Sequence, residues 1–285
     1  MSILVTGASG HLGRRTVLAL LDRGVPAADI VATARDLDTV GDLAGLGVQV
    51  RRADYDDPTS LDAAFDGVDR ALLVSSNAIG ARVSQHRNVI EAAVRAGVEL
   101  LAYTSILRAD SSGLALAAEH VATEDLLKQS GLPVTLLRNG WYLENYTENA
   151  GPALATGQVI GAAGTGRISA ATRQDYAEAA AVVLASGEHA GAVYELAGDE
   201  AFTMAEYAAA LATATGREIG YADLPAADYA AALTSAGVPA EYAELLADSD
   251  AGVSRGDLED HSADLARLIG RPTTRLADAL AGIGA

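Results

Sequence analysis

Three glycines at positions 7, 10 and 13 separate an apolar run from a helical pattern in Gly7-Ala8-Ser9-Gly10-His11-Leu12-Gly13. Glycines so placed suit the binding of a pyrophosphate. Gly7 permits a tight turn. Gly10 carries no side chain, so backbone can approach the anion. Gly13 lets the following helix pack close to the sheet. The free N–H groups and positive dipole end of that helix then face the negative charge. The spacing is G-x-x-G-x-x-G rather than G-x-G-x-x-G, and such a triplet carries weight only between a strand and a helix of a βαβ chain. Both flanks meet that condition, so the loop predicts dinucleotide binding.

Further candidates sit where later strands end. Arg35-Asp36 follows the second strand. An acidic residue there would bond the ribose hydroxyls of NAD, whereas an arginine accommodates the 2′-phosphate of NADP. Arg35 comes first, which favours NADP. Asp54 follows the third strand, and two readings stand for it: bordering the adenine, or capping the turn into Asp57-Pro58. Ser75-Ser76 and Thr104-Ser105 end the fourth and fifth strands. Ligands of open parallel sheets lie beyond the carboxyl ends of the strands. Small hydroxyl residues there leave room for ribose and nicotinamide, although helix capping competes as the explanation of Ser75 and Ser76.

The elements that must position these residues alternate in type. Strands are expected at Ile3–Thr6, Ile30–Ala34, Val48–Arg52, Ala71–Ser75, Leu100–Thr104 and Val134–Arg138, with helical spacing in Arg14–Arg23, Arg82–Ala96 and Ala115–Ser130. That rhythm means βαβ crossovers and a parallel sheet covered by helices on both faces. The fold class is therefore α/β, a Rossmann-type doubly wound parallel sheet with a small α/β C-terminal substrate lobe. The expected division is a dinucleotide-binding domain over 1–150 and a smaller, mostly helical lobe over 151–285, some of whose segments return to the main sheet. Gly151–Gly166 reads as loop and turn. A helix at Arg173–Ser186 and a strand at Ala192–Leu196 follow. Thr203 with Glu206 gives a capping-box start to a helix at Met204–Thr215. The alanine-rich remainder reads as helical, broken at Pro225, Gly237-Val238-Pro239 and Gly270-Arg271-Pro272.

Composition excludes several functions. The 285 residues are half apolar, enough for a sizeable core, and carry a net charge of −18. Nucleic-acid binding and docking on anionic membrane both need basic surface. With no cysteine, disulfides, thiolate catalysis and cysteine-held metals are excluded. No His/Asp/Glu cluster has metal-ligand spacing, and no Gly-x-Ser-x-Gly elbow is present. Asp248-Ser249-Asp250 reads as a solvated face rather than a calcium loop, because the closing glutamate is missing. His86 starts a helix and is a candidate to face the cleft, while His189 and His261 read as surface residues. No apolar run spans a membrane, and the N-terminal residues lack a signal-peptide pattern, so a cytoplasmic location is expected.

Several segments together resemble a family. They are Thr6-Gly7-Ala8-Ser9-Gly10-His11-Leu12-Gly13, Gln85-His86-Arg87-Asn88-Val89-Ile90, Ala102-Tyr103-Thr104-Ser105, Arg138-Asn139-Gly140-Trp141-Tyr142-Leu143-Glu144-Asn145-Tyr146, Tyr194-Glu195-Leu196-Ala197-Gly198 and the tail Leu268-Ile269-Gly270-Arg271-Pro272-Thr273-Thr274. The chain resembles the atypical short-chain dehydrogenase/reductase superfamily, its NmrA-like branch, and within that branch the type 2 NADPH:quinone oxidoreductases, which are similar to triphenylmethane reductase. The resemblance implies a substrate cleft between a Rossmann domain and a small lobe, and NADPH rather than a flavin. It implies cofactor contacts from Gly7, Gly10, His11, Leu12, Gly13 and Arg35. Apart from the resemblance, Ser9, Asp54, Ser75, Ser76, Thr104, Ser105 and His120 are further cofactor-binding candidates.

One departure bears on chemistry. Short-chain dehydrogenases usually carry Tyr-x-x-x-Lys after the fifth strand, and the matching stretch here is Leu116-Ala117-Ala118-Glu119-His120. Leucine donates no proton. His120 remains a candidate to bond ribose or carboxamide, or to titrate near neutral pH. The quinone branch is similar in lacking the pair. A quinone accepts hydride readily, so stacking beside the nicotinamide and a few hydrogen-bond donors suffice. Asn139, Tyr142 and His120 are the catalytic candidates, and Trp141, Asn145 and Tyr146 the substrate-binding ones, with aromatic packing between lobes as the competing explanation. The expected partner is a small quinone-like acceptor met by a monomer or homodimer. Two other readings stay open: a non-catalytic NADP(H)-sensing regulator, and a biosynthetic C=C or C=N reductase.

Overall fold

The computed structural model describes residues 1–283. In chain order its first half runs β1 (Ile3–Val5), α1 (His11–Asp22), β2 (Ile30–Ala34), α2 (Gly41–Gly45), β3 (Gln49–Arg52), α3 (Pro58–Phe65), β4 (Arg70–Leu73), α4 (Arg82–Ala96), β5 (Leu100–Ile106), α5 (Ala117–Gln129) and β6 (Val134–Asn139). It continues with α6 (Glu144–Thr147), α7 (Gly151–Thr156), β7 (Gln158–Gly161), α8 (Arg173–Ser186), β8 (Val193–Leu196), α9 (Met204–Thr215), β9 (Gly220–Asp223), α10 (Ala226–Ser235), α11 (Ala240–Arg255), α12 (Asp264–Ile269) and α13 (Leu276–Ala279).

Seven strands form one sheet in the order β3-β2-β1-β4-β5-β6-β8. The pairs from β3 through β6 are parallel. The order reverses between β1 and β4, the position where doubly wound sheets open a crevice beyond the strand ends. β1, β2 and β5 are buried along their whole lengths, as strands covered on both faces must be. β3 departs from that expectation. It is the edge strand, and its Gln49-Val50-Arg51-Arg52 is partly exposed. A core of Leu61, Phe65, Val89, Leu101 and Tyr103 packs α3 and α4 on one face, and α1 packs against α8.

The chain divides into two compact units. One comprises Met1–Ala109, Ala118–Asn139 and Arg173–Tyr194; the other comprises Asp110–Ala117, Gly140–Thr172 and the chain from Glu195 onward. In the second unit, α9 opens on the expected capping box: Glu206 N donates to Thr203 Oγ1 at 3.1 Å and Thr203 N to Glu206 Oε2 at 2.8 Å.

Two expectations for this unit are corrected. Gly151–Gly166 is not merely loop. It holds α7, which carries Pro152 in its first turn, and β7, which pairs in parallel with β9. The partner strand lies sixty residues away, so no local pattern announces it, and β9 likewise interrupts the helical remainder. Nor is Asp248-Ser249-Asp250 a solvated face. Ser249 is buried, Asp248 Oδ2 accepts from Ala115 N at 2.8 Å, and Asp250 Oδ2 accepts from Ala162 N at 2.7 Å. Both carboxylates are partly buried, and each serves a chain-distant backbone N–H that needs an acceptor.

Candidate active site

The glycine loop takes the form its residue types predict. Gly7 has φ +62°, a conformation that side chains disfavour. Gly10 N donates to Gly7 O at 2.9 Å, and Ala8 N donates to Thr33 O at 2.8 Å, which ties the loop to β2. A Cβ on Gly13 would lie 2.5 Å from Gly7 O and 2.9 Å from Thr6 O. Only glycine lets α1 start that close to β1. No side chain caps α1 at Gly10, so its first N–H groups have no intrahelical or side-chain acceptor. Ser9 and His11 are exposed, and Leu12 is buried. The arrangement fits a pyrophosphate: a cradle that side chains would fill, lined by backbone donors.

Beside it, Arg35 is exposed and makes no ion pair or hydrogen bond with the described residues. Asp36 is already engaged, since its Oδ1 accepts from Asp38 N at 3.0 Å and caps the short turn over 37–40. Asp54 turns on its own backbone, accepting from Asp56 N at 3.1 Å, while Asp57 caps α3. Asp54 O also accepts from Asp57 N at 3.0 Å, so Asp54 closes the turn that leads into Asp57-Pro58.

At the end of β4, Ser75 N donates to Thr104 Oγ1 at 2.8 Å. Ser76 Oγ donates to Gln85 Oε1 at 2.5 Å. Neither serine caps α4, whose N-cap is Ala81, so the capping explanation fails. His86 lies one turn into α4 and is fully buried. Ser105 Oγ donates to Glu124 Oε1 at 2.7 Å. Glu124 also receives Arg138 on both oxygens, at 3.0 and 2.8 Å. That buried bidentate pair joins β5, α5 and β6 just below Asn139.

His120 is also buried, with Nδ1 2.7 Å from Tyr103 OH. Burial, with help from the Arg82 charge, pushes its pKa down to about 3. Its ring is therefore neutral across the physiological range, and titration near neutral pH is corrected. Burial likewise raises the Tyr103 phenol.

Asn139, the last residue of β6, is 6% exposed, and its Oδ1 has no hydrogen-bond partner. A buried orphan acceptor is costly unless a ligand meets it.

In the second unit, the segment after Asn139 is laced to Ala171. Ala171 N donates to Trp141 O at 3.1 Å, and Leu143 N donates to Ala171 O at 2.9 Å. Trp141, Tyr142 and Asn145 are each half-buried on this segment. The Tyr146 ring packs edge-on against Phe202 with centroids 5.3 Å apart and beside Tyr207 at 5.4 Å, and its backbone O accepts from Tyr207 OH at 2.9 Å. The structure thus commits that ring to an aromatic cluster. No group of three or more potential metal ligands occurs among the described residues. Nor is any described helix long and apolar enough to cross a membrane.

The model of the NmrA-like family matches residues 1–254. The chain belongs to the NmrA-like family. It is 51% identical to quinone oxidoreductase 2 of Escherichia coli, over 98% of this chain and 97% of that one. It superposes on the crystal structure of the NADPH-dependent quinone oxidoreductase of Escherichia coli complexed with NADPH, with a TM-score of 0.95 and 98% of each chain covered. The Citrobacter sp. triphenylmethane reductase complexed with NADP(H) is 35% identical, with a TM-score of 0.94 over 98% of this chain and 99% of that one. The parallel sheet and helical layers expected from the sequence are those of this NmrA-like fold.

Proposed function

We propose that the chain is an NADPH-dependent, flavin-independent reductase of quinones and similar flat electrophilic acceptors. The observation that carries this reading is the likeness to quinone oxidoreductase 2 along the whole chain, with a glycine loop built for a pyrophosphate. It favours an enzyme over a sensor that never turns over. When bound, NADPH supplies the hydride that, with a proton, takes a quinone to its hydroquinone.

The chain's own residues bind and orient. The first N–H groups of α1 hold the pyrophosphate over Gly7, Gly10 and Gly13. Arg35 meets the 2′-phosphate as a charge-assisted donor, and Asp36, spent on its turn, adds no opposing contact. Ser75, Ser76 and Thr104 provide small residues along the nicotinamide half. His120 stays neutral and offers a hydrogen bond, not a charge. Asn139 presents an amide with an unmet acceptor. Trp141, Tyr142 and Asn145 are assigned to the acceptor, with Tyr146 supporting their segment. The protein works as a cytoplasmic monomer or homodimer.

Asn139→Ala and Tyr142→Phe test the acceptor assignment. Each is expected to lower kcat/KM for a quinone by about tenfold or more, the cost of one lost hydrogen bond at the reacting centre, with NADPH affinity little changed for Tyr142→Phe. Unchanged kcat/KM in both variants removes these residues from the mechanism.

A further inference from the structure

Ladder pairing of β4 with its neighbours stops at Leu73, and side chains then take over the backbone. Val74 N donates to Thr6 Oγ1 at 2.9 Å, and Tyr55 OH donates to Val74 O at 2.8 Å. Ser75 N goes to Thr104. Ser76 N donates to His86 Nε2 at 2.9 Å, and Ser76 O accepts from Arg82 Nε at 2.7 Å. Gly80 N donates to Glu119 Oε1 at 2.9 Å, and Arg82 pairs with the same carboxylate at 3.2 Å. Six backbone groups in seven residues are held this way, where the sheet order reverses and a dinucleotide lies.

His86 is the one buried imidazole in this set, with no exposed surface. Its role is fixed by donor and acceptor counting. A backbone N–H only donates, so Nε2 carries no hydrogen. The ring proton is on Nδ1, 3.0 Å from Thr123 Oγ1. Thr123 sends its own proton to Glu119 O at 2.8 Å, so its oxygen is an acceptor toward His86. One tautomer satisfies every bond. The ring is also held edge-on to Tyr103, with centroids 5.4 Å apart, and to Tyr55 at 6.3 Å.

We propose that His86 is a positioning residue for the cofactor: its Nδ1–H tautomer, set by Thr123, holds the Ser76 N–H and thereby shapes the wall Ser75–Asn77 against which the dinucleotide binds. The inference rests on the reading of the chain as an NADPH-dependent reductase. A purely structural histidine would lower thermal stability alone. A positioning histidine also moves NADPH affinity in the folded protein and leaves quinone KM in place.

The test compares NADPH affinity by fluorescence titration, steady-state KM and kcat, and Tm for the wild type, His86→Leu, His86→Gln and Thr123→Val. His86→Leu is expected to weaken NADPH by about tenfold or more, as an unpaired buried donor would, with quinone KM within about twofold of wild type. His86→Gln, whose Oε1 can accept from Ser76 N, is expected to recover most of that loss. Thr123→Val, which frees the tautomer, should fall between them. A folded His86→Leu protein that binds NADPH within about twofold of wild type overturns the proposal, as does a glutamine variant no better than leucine. If His86→Leu does not fold, Thr123→Val decides, and wild-type affinity in that variant overturns the proposal. Wild type that neither binds NADPH nor reduces quinones would fell the functional reading and this inference together. Active wild type with unaffected variants fells the inference alone.

Discussion

Arg35 stands exposed at the end of β2 without an ion-pair partner among the described residues, in a chain whose net charge is −18. A 2′-phosphate is the group that would reward that placement, and NADH lacks it. Arg35→Ala is therefore expected to weaken NADPH by about tenfold or more and NADH by less than about twofold, the difference being one charge-assisted contact. Titration of both nucleotides checks it, and equal losses would assign Arg35 to the solvated loop instead.

Asp250 makes a second prediction for a single residue. It accepts from the Ala162 N–H and interacts electrostatically with Tyr221, Tyr229, Asp223 and Tyr146, and no cation pairs with it among the described residues. Burial pushes its carboxyl up to about 6, with the Ala162 hydrogen bond opposing and the Asp223 charge adding. The folded protein thus holds a proton there that the unfolded chain releases near 3.8. Stability from this group falls as pH rises through that window. At pH 7 the ionised carboxyl costs on the order of 3 kcal/mol. Asp250→Asn keeps an acceptor for Ala162 and removes the charge. Its Tm should exceed that of wild type at pH 7, with the gain shrinking as pH falls from 6 to 4. A pH-independent difference would contradict this.

Among the elements, the contact of α1 with the β1 turn carries the most constraint. Gly13→Ala would set a methyl 2.5 Å from Gly7 O, against backbone that cannot yield. The helix start must move, at a cost of about 1–3 kcal/mol. Loss of NADPH binding beyond what the drop in Tm explains is the expected result, and an alanine variant with wild-type affinity would show the turn to be slack.

The elements also mark what a sequence can reveal. Residues 30–34, 82–96, 173–186 and 204–215 have the predicted bounds because periodicity and caps are local signals. The glycine loop was legible because each glycine answers a backbone demand. β7 and β9 were not, since each is defined by pairing with the other across a long loop. Asp248 and Asp250 were misread for the same reason: their acceptor roles are set by Ala115 and Ala162, far away in the chain. The buried set of His86, Thr123, Glu124 and Arg138, with the partly buried Glu119, lay equally out of reach. Each is an ordinary polar helix or strand residue until the partner helix is in place.

For the whole molecule, the net charge is −18, yet Arg35 and an uncapped helix start stand where a small anionic cofactor would bind. Membership of the NmrA-like family sets the same fold on both counts. The Tyr-x-x-x-Lys pair is absent, the two buried histidines near the β4 and β5 exits are held neutral with pKa values of about 3, and no phenol stands in at Leu116. A neutral site of this kind suits an acceptor that takes hydride without a dedicated acid.

Anaerobic oxidation of NADPH by the purified protein, with and without benzoquinones and naphthoquinones and corrected for the uncatalysed rate, tests that most directly. Saturable, quinone-dependent turnover with NADPH preferred over NADH is the result expected. Tight NADPH binding with no turnover on any quinone would contradict it and assign the chain to sensing or to a narrower reduction.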